Sequence, residues 1–405
     1  MHHTENRGLM GNARKYDEDA VLRARVLLLG SGRLDLAEEL GAYRVLAEVS
    51  PRAYLPKLVG ALLLTGYRTT VPGAELRLFA EAVDAARRIE ATAVNRVELL
   101  CRALGAYERE LFTVGRRAEG RAVCEEMYAV SGHPRLAHVL AEEGRHREAA
   151  EILRRHRPAA VPGFPPWDVY EAAAELSAAG LHAEAAEVFA RTVGAGRRRA
   201  AEKGTPPPDL AWELIHHARL LEDAGRPGEG AAARREALDV VARLAQRDGS
   251  GDPMTSLWAT LFVLSGRSDE PVATPEAPRP PFGAESLRWS PDVREAYRED
   301  IPVLEAEATR LTAAGALPRA YTVQRRLTLR AVHFEHSHGA APLLRPRFDE
   351  GVALARRLED TASALPQALT DRAMFLVATG RHADAHADLA EALGLMDAPP
   401  IVTRT

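Results

Sequence analysis

The chain has 405 residues, enough for two or three ordinary domains or for one extended repeat array. Apolar residues make up 46% and aromatics only 5%, so any core must be built mainly from alanine, leucine and valine, which suits close-packed helices. A formal net charge of −4 gives no general attraction for nucleic acid or for an acidic membrane surface.

In chain order, residues 1–16 carry no apolar run, which excludes a secretory signal of the usual design and predicts a flexible tail. A helical array is expected over 17–268. Within it, "GSGRLD" at 30–35 lacks the lysine and hydroxyl of a phosphate loop and the third glycine of a dinucleotide fold, so it reads as a turn between helices. "LDLAEELGAYRVLAEVSP" at 34–51 has a helix-turn-helix flavour, but its second helix offers few side chains able to read base edges. The longest apolar stretch, "LVGALLL" at 58–64, is far short of the roughly 20 residues that span a bilayer. Long helices are expected at 74–91 and 231–246. Cys101 and Cys124 are too few for a disulfide framework and read as buried free thiols of a reducing, cytoplasmic setting. "RPAAVPGFPP" at 157–166 and "GTPPP" at 204–208 read as loops between hairpins.

Residues 269–291 hold six prolines and no helical period, and are expected to be a linker. A second, shorter array should follow over 292–398, with a tail at 399–405. In "HFEHSHG", His333, His336 and His338 invite a metal reading. With no distant partner set in the spacing, the simpler reading is imidazoles closing a helix before Gly339. Arginine outnumbers lysine (Lys15, Lys57 and Lys203 only) along the whole chain, so runs such as "RRHR" at 154–157 read as solvated helix ends and not as a phosphate-reading patch. No nucleophile elbow or His-Glu-x-x-His occurs. No enzyme, cofactor or metal is expected.

Aligning the chain on Gly32, Gly115, Gly144, Gly180, Gly225, Gly315 and Gly380 exposes a repeat. Four residues before each lies leucine (Leu28, Leu111, Leu140, Leu176, Leu221, Leu311, Leu376), and five residues after each lies alanine or glycine. Seven before stand Ala137, Ala173, Ala218, Ala308 and Ala373. Each unit reads as a helical hairpin: glycine ends the first helix, leucine packs inward, and the small residue of the second helix lets the backbones approach. Since a hairpin alone buries one face, hairpins must stack.

Leu-x3-Gly-x4-Ala, with an apolar residue four further on (Leu153, Phe189, Leu389), resembles the core pattern of the tetratricopeptide repeat family over about two thirds of the chain. The resemblance implies an all-α, right-handed solenoid of about nine antiparallel hairpins, those around Gly66 and Gly266 being degenerate. The spacing departs from the family's 34-residue period, at 29, 36 and 45 residues between the glycines of 115–225. His146, His182 and His382 fall where the family places an aromatic that seals the hairpin, so the recurring histidine reads as packing.

The resemblance also implies that first helices line a concave surface. The positions thirteen, ten and six before glycine are Trp167, Tyr170 and Ala174 in one unit and Trp212, Ile215 and Arg219 in the next. Two of the four tryptophans at one offset read either as groove anchors or as core filling gaps between alanines. The family's C-terminal carboxylate clamp is missing, Glu171 and His216 standing at its arginine position. The expected function is a non-catalytic scaffold or adaptor that binds a peptide or protein segment around Trp167, Tyr170, Trp212, Ile215, Arg109 and Arg219. The alternative is a ligand-responsive regulator of a DNA-binding or enzymatic partner. Direct nucleic-acid or membrane binding is not expected, and a homo-oligomer is left open.

Overall fold

A computed structural model describes residues 17–30, 34–156, 167–246, 255–335, 340–358 and 361–397. Among them every regular element is a helix and no strand occurs. The expected tails and the 157–166 loop lie outside the described residues, as do Gly32, His336 and His338.

The chain forms two compact units, 1–132 and 133–405. The first holds α1 (Glu18–Leu29), α2 (Leu36–Val49), α3 (Pro51–Arg68), α4 (Ala74–Arg87), α5 (Arg96–Thr113) and α6 (Arg117–Ser131), each packed on the next. Its core is leucine and alanine, with Leu62, Ala82, Ala86, Ala103, Leu104 and Leu111 fully enclosed. Gly66 lies inside α3 against the Phe79 ring, and the left-handed turn comes later at Gly73, so this degenerate unit turns at a glycine other than the aligned one.

The second unit begins with three hairpins: α7 (Arg135–Glu142) with α8 (His146–Arg155), α9 (Trp167–Ala178) with α10 (His182–Lys203), and α11 (Pro208–Asp223) with α12 (Pro227–Ala245). Then come α13 (Ser256–Ser265), α14 (Pro291–Ala313), α15 (Leu317–Glu335), α16 (Ala341–Ala355), α17 (Thr361–Ala378) and α18 (His382–Asp397).

The six described turn glycines of the alignment all adopt the left-handed region, with φ between 70° and 78°. At each, the amide after glycine reaches back to the carbonyl of the leucine four before it, as in Arg145 N to Leu140 O at 2.8 Å and Leu181 N to Leu176 O at 2.9 Å. This six-to-one bond, with glycine's own amide bonded one turn back, satisfies helix-end carbonyls that would otherwise be orphaned. The leucine side chains are buried, and the small residue five after glycine is needed: a Cβ on Gly120 would sit 3.0 Å from the Phe112 ring, and one on Gly230 2.9 Å from the Ala218 carbonyl. An arginine next to the glycine pairs with an acid three residues on, as in Arg116 with Glu119 and Arg226 with Glu229. These exposed pairs contribute little stability.

Two features depart from a simple row. The last hairpin, α17 and α18, stacks on the α11–α12 hairpin through α12 and α18, although about 155 residues of sequence separate the two hairpins' turns. Helix α13 is apolar all round and buried from Leu257 to Val263, packed against α11 and α15. The proline-rich stretch 269–291 is likewise no free joint. It lies within the second unit, burying Phe282, Ala284 and Trp289 in one cluster with Val263 and Tyr297. Its prolines stop helix formation, but its aromatic side chains still lose contact with water on packing, so the segment docks.

Gly144 and Gly180 separate backbone strain from packing. A Cβ on Gly180 meets nothing, whereas one on Gly144 runs into the Ala273 carbonyl oxygen of the proline-rich segment. Gly180→Ala should therefore cost only the left-handed penalty of ~1–2 kcal/mol. Gly144→Ala should cost distinctly more and expose the 269–291 segment to protease, as read by urea unfolding and limited proteolysis.

Candidate functional site

The structure divides the residues expected to line a groove. Arg109 is exposed on α5 of the first unit, and the other five lie in the second. Tyr170 is fully buried, and Trp212 is only 4% exposed, packed edge-on to Trp258 at 6.0 Å and Phe262 at 5.8 Å. Of the two readings left open for the aromatic positions, core is the one that holds for Tyr170 and Trp212: both are corrected from groove anchors to core. The physical reason is α13, which covers the inner side of α11 and offers Trp212 aromatic neighbours instead of water. Trp167, Ile215 and Arg219 remain half-buried, Trp167 edge-on to Tyr170 at 6.4 Å.

The inner face of α7 and α9 carries three buried carboxylates, Glu142, Glu171 and Glu175, and the segment that follows α13 supplies partners to all of them. Glu142 accepts the Ser290 amide at 2.7 Å and its hydroxyl at 2.6 Å. Glu171 takes Arg288 at 2.8 Å and His138 Nε2 at 3.0 Å. Glu175 bonds His146 Nδ1 at 2.8 Å and lies 3.6 Å from Arg267. The path is tight: a Cβ on Gly283, which has φ 103°, would sit 2.6 Å from the Ala174 Cβ, and the Arg279 amide donates to the Glu142 carbonyl at 2.9 Å. The segment therefore lies across α7 and α9 as an irregular peptide held by backbone and charged side-chain bonds.

Beside it opens a cleft of about 330 Å³ between α9, the start of α10, α11 and the end of α13. Its walls include Ala173, Ala174, Phe189, Leu220 and Leu264, and its polar groups are His182, His216, Arg219, Arg267 and Ser268, with exposed Asp223 also on its lining. Helix spacing explains the set, since residues 212, 216, 219 and 223 recur on one face of α11. Arg219 donates to the Ser265 carbonyl at 2.6 Å and the Ser268 hydroxyl at 3.0 Å, and forms no ion pair among the described residues. Arg267 donates to the Ala174 carbonyl at 2.6 Å and contacts His146 Nδ1 at 3.1 Å. His216 is buried, stacks on Trp212, and has no partner for Nε2 among the described residues. Burial foremost, and then Arg219, push its pKa down to about 4, so the ring is neutral at pH 7.

One turn before His216, Glu213 accepts the Tyr170 hydroxyl at 2.8 Å, its other oxygen lying beside Gly196, where a Cβ would approach to 2.8 Å. Burial raises this carboxyl to about 7 against the opposing effects of Tyr170 and Arg199.

The three aligned histidines do not form one site. His146 joins the Glu175 cluster, His182 lines the cleft, and His382 lies half-buried with its pKa lowered by burial. Among the described residues no cluster of metal-ligating side chains occurs. His333 is buried, with its ring stacked on Trp289 at 4.1 Å. Among the described residues no helix is long and apolar enough to cross a membrane. No known family model matches the chain, and no curated protein matches it.

Of the groove positions in the sequence reading, Arg219 and Ala174 line the cleft; His182 and His216 had been read only as packing or as a missing clamp position, and Arg267 lay in a degenerate unit. The signal for His216 was its place between Trp212 and Arg219 on one helical face.

Opposed pH dependences follow from Glu213 and His216. Between its ordinary value of 4.5 and about 7 the folded Glu213 holds a proton that the unfolded chain releases, so its contribution to stability falls as pH rises through that window. Between about 4 and 6.5 the unfolded chain protonates His216 and the folded chain does not, so that contribution rises with pH. Glu213→Gln, which keeps an acceptor for Tyr170, should raise stability at pH 8 by about 3 kcal/mol and leave a profile that climbs from pH 4 to 6.5. Urea midpoints measured across pH check both.

Proposed function

We propose that the chain is a non-catalytic interaction protein of the tetratricopeptide kind, a right-handed solenoid with degenerate units, whose α7–α9 face takes an extended segment of a partner protein. The observation that carries the reading is the Glu270–Ser290 stretch, an irregular piece of chain held on that face through Glu142, Glu171 and its own backbone. A face that binds such a segment within the chain has the carboxylates and the close backbone approach to bind a similar one from outside, proline-rich and carrying arginine. Preformed, low-entropy segments of this kind lose little freedom on docking.

A ligand-responsive regulator is the second reading, and one contact favours it. Arg267 and Ser268 line the cleft and lead directly into the docked segment, so whatever fills the cleft touches the segment's root. Ligand and partner segment would then be coupled through one element.

Breaking two anchors tests the proposal. A synthetic peptide spanning residues 270–290 should bind the full-length double variant Arg288→Ala with Ser290→Ala with a Kd of ~10 μM, and bind the unaltered chain at least tenfold more weakly, as read by fluorescence anisotropy. A double variant that keeps its helical circular dichroism and ignores the peptide overturns the reading.

A further inference from the structure

The cleft beside α11 has chemistry that the segment-binding reading does not use. Three observations converge there. Arg219 is a half-buried guanidinium whose bonds go only to neutral groups, the Ser265 carbonyl and the Ser268 hydroxyl, whereas Arg267 next to it lies 3.6 Å from the Glu175 carboxylate. The cleft therefore holds one guanidinium to which no carboxylate is bonded among the described residues. His216, 7% exposed, is on its lining, and the buried Nε2 of that ring has no partner among the described residues. The apolar walls are alanine, leucine and the Phe189 ring, with Ser177, His182 and Asp223 also on the lining.

The state of the His216 ring narrows the ligand. Among the groups that act on it, the Leu261 carbonyl favours its proton, and a carbonyl can only accept. With the proton of the neutral ring directed there, the unpartnered Nε2 is an acceptor and wants an O–H or N–H donor. Arg219, three residues along the same helix face, wants an anion. A dianionic phosphate suits the place poorly, because Asp223 contributes a carboxylate to the lining and Arg267 is already engaged. Asp371, close enough to Arg219 to feel its charge, is bonded by Arg325 at 2.6 Å, and Arg325 also pairs with Asp269.

We propose that this cleft binds a small monocarboxylate with an adjacent hydroxyl or N–H donor and an apolar body: the carboxylate on Arg219, the donor on His216 Nε2, and the apolar part against Phe189 and Leu264. A free hydroxy or amino acid derivative and the last residue of a peptide share that chemistry. A cleft of about 330 Å³ is at the small end of small-molecule sites.

Calorimetric titration of the full chain separates these sources. The probes are 3-phenyllactate, 3-phenylpropionate (no hydroxyl), 2-phenylethanol (no carboxylate) and N-acetylphenylalanine (amide N–H, standing for a peptide end). Phenyllactate should bind with a Kd of ~1 mM or below, and the two probes that lack a group at least tenfold more weakly. N-acetylphenylalanine binding more tightly than phenyllactate assigns the chemistry to a peptide end; weaker binding assigns it to a free acid. Ala178→Trp at the half-buried edge of the cleft should abolish binding, and Arg219→Met should weaken it at least tenfold. Phenyllactate that binds no better than phenylethanol, or fails to bind at ~10 mM, overturns the proposal. The probe comparison uses the unaltered chain, so a variant that misfolds cannot decide it, and a failure here leaves binding of the 270–290 peptide unaffected.

Discussion

A hairpin made of alanine and leucine hides one side of each helix against its partner and leaves the other to be covered. In the second unit what covers it decides the rest. Neighbouring hairpins cover part of the exposed surface, and α13 and the proline-rich segment cover more, packing along the inner sides of α11 and of α7 with α9. Burying an aromatic side chain is worth about 1.5–3 kcal/mol, and Trp258, Phe262, Phe282 and Trp289 are all buried in these two elements. That gain offsets the ordering of a stretch whose prolines prevent it from forming helix.

The same arrangement explains the buried charges. Glu142, Glu171 and Glu175 lie almost wholly out of water, where an unpartnered carboxylate costs several kcal/mol. Each meets a serine, arginine or histidine side chain on a neighbouring element. Such contacts add little net stability, since desolvation cancels most of the attraction, but they select one register for the segment: a shift by one residue would leave buried charges without partners. Further along, Arg330 is fully buried between Glu270 and Asp300 with its guanidinium over the Tyr297 ring, and so locks the segment's start to α14 and α15.

The cleft is the space that this covering leaves over. Large side chains fill the inner side elsewhere, but here Ala173, Ala174 and Ala178 stand on α9, and the end of α13 approaches without closing the gap. Its electrostatics follow from depth. Burial keeps His216 neutral near pH 7, so the positive charge the cleft offers is that of its arginines.

Much of the hairpin framework was legible in the sequence by itself. Leucine, glycine and alanine at set offsets are local requirements of a left-handed turn with a six-to-one bond and two close helices, and each of the six described turn glycines meets them. Local rules say nothing of what packs on a hairpin's free side. Proline content marked 269–291 as a break in helix, which it is, but could not reveal that Phe282 and Trp289 bury there or that Ser290 meets Glu142 across 148 residues of sequence. Paired tryptophans at one offset were equally compatible with a groove and with a core, because helical spacing fixes which face a side chain occupies and not what stands opposite. Tertiary structure decided that by placing α13 against Trp212, and by the same packing left His216, three residues before Arg219, facing a cleft.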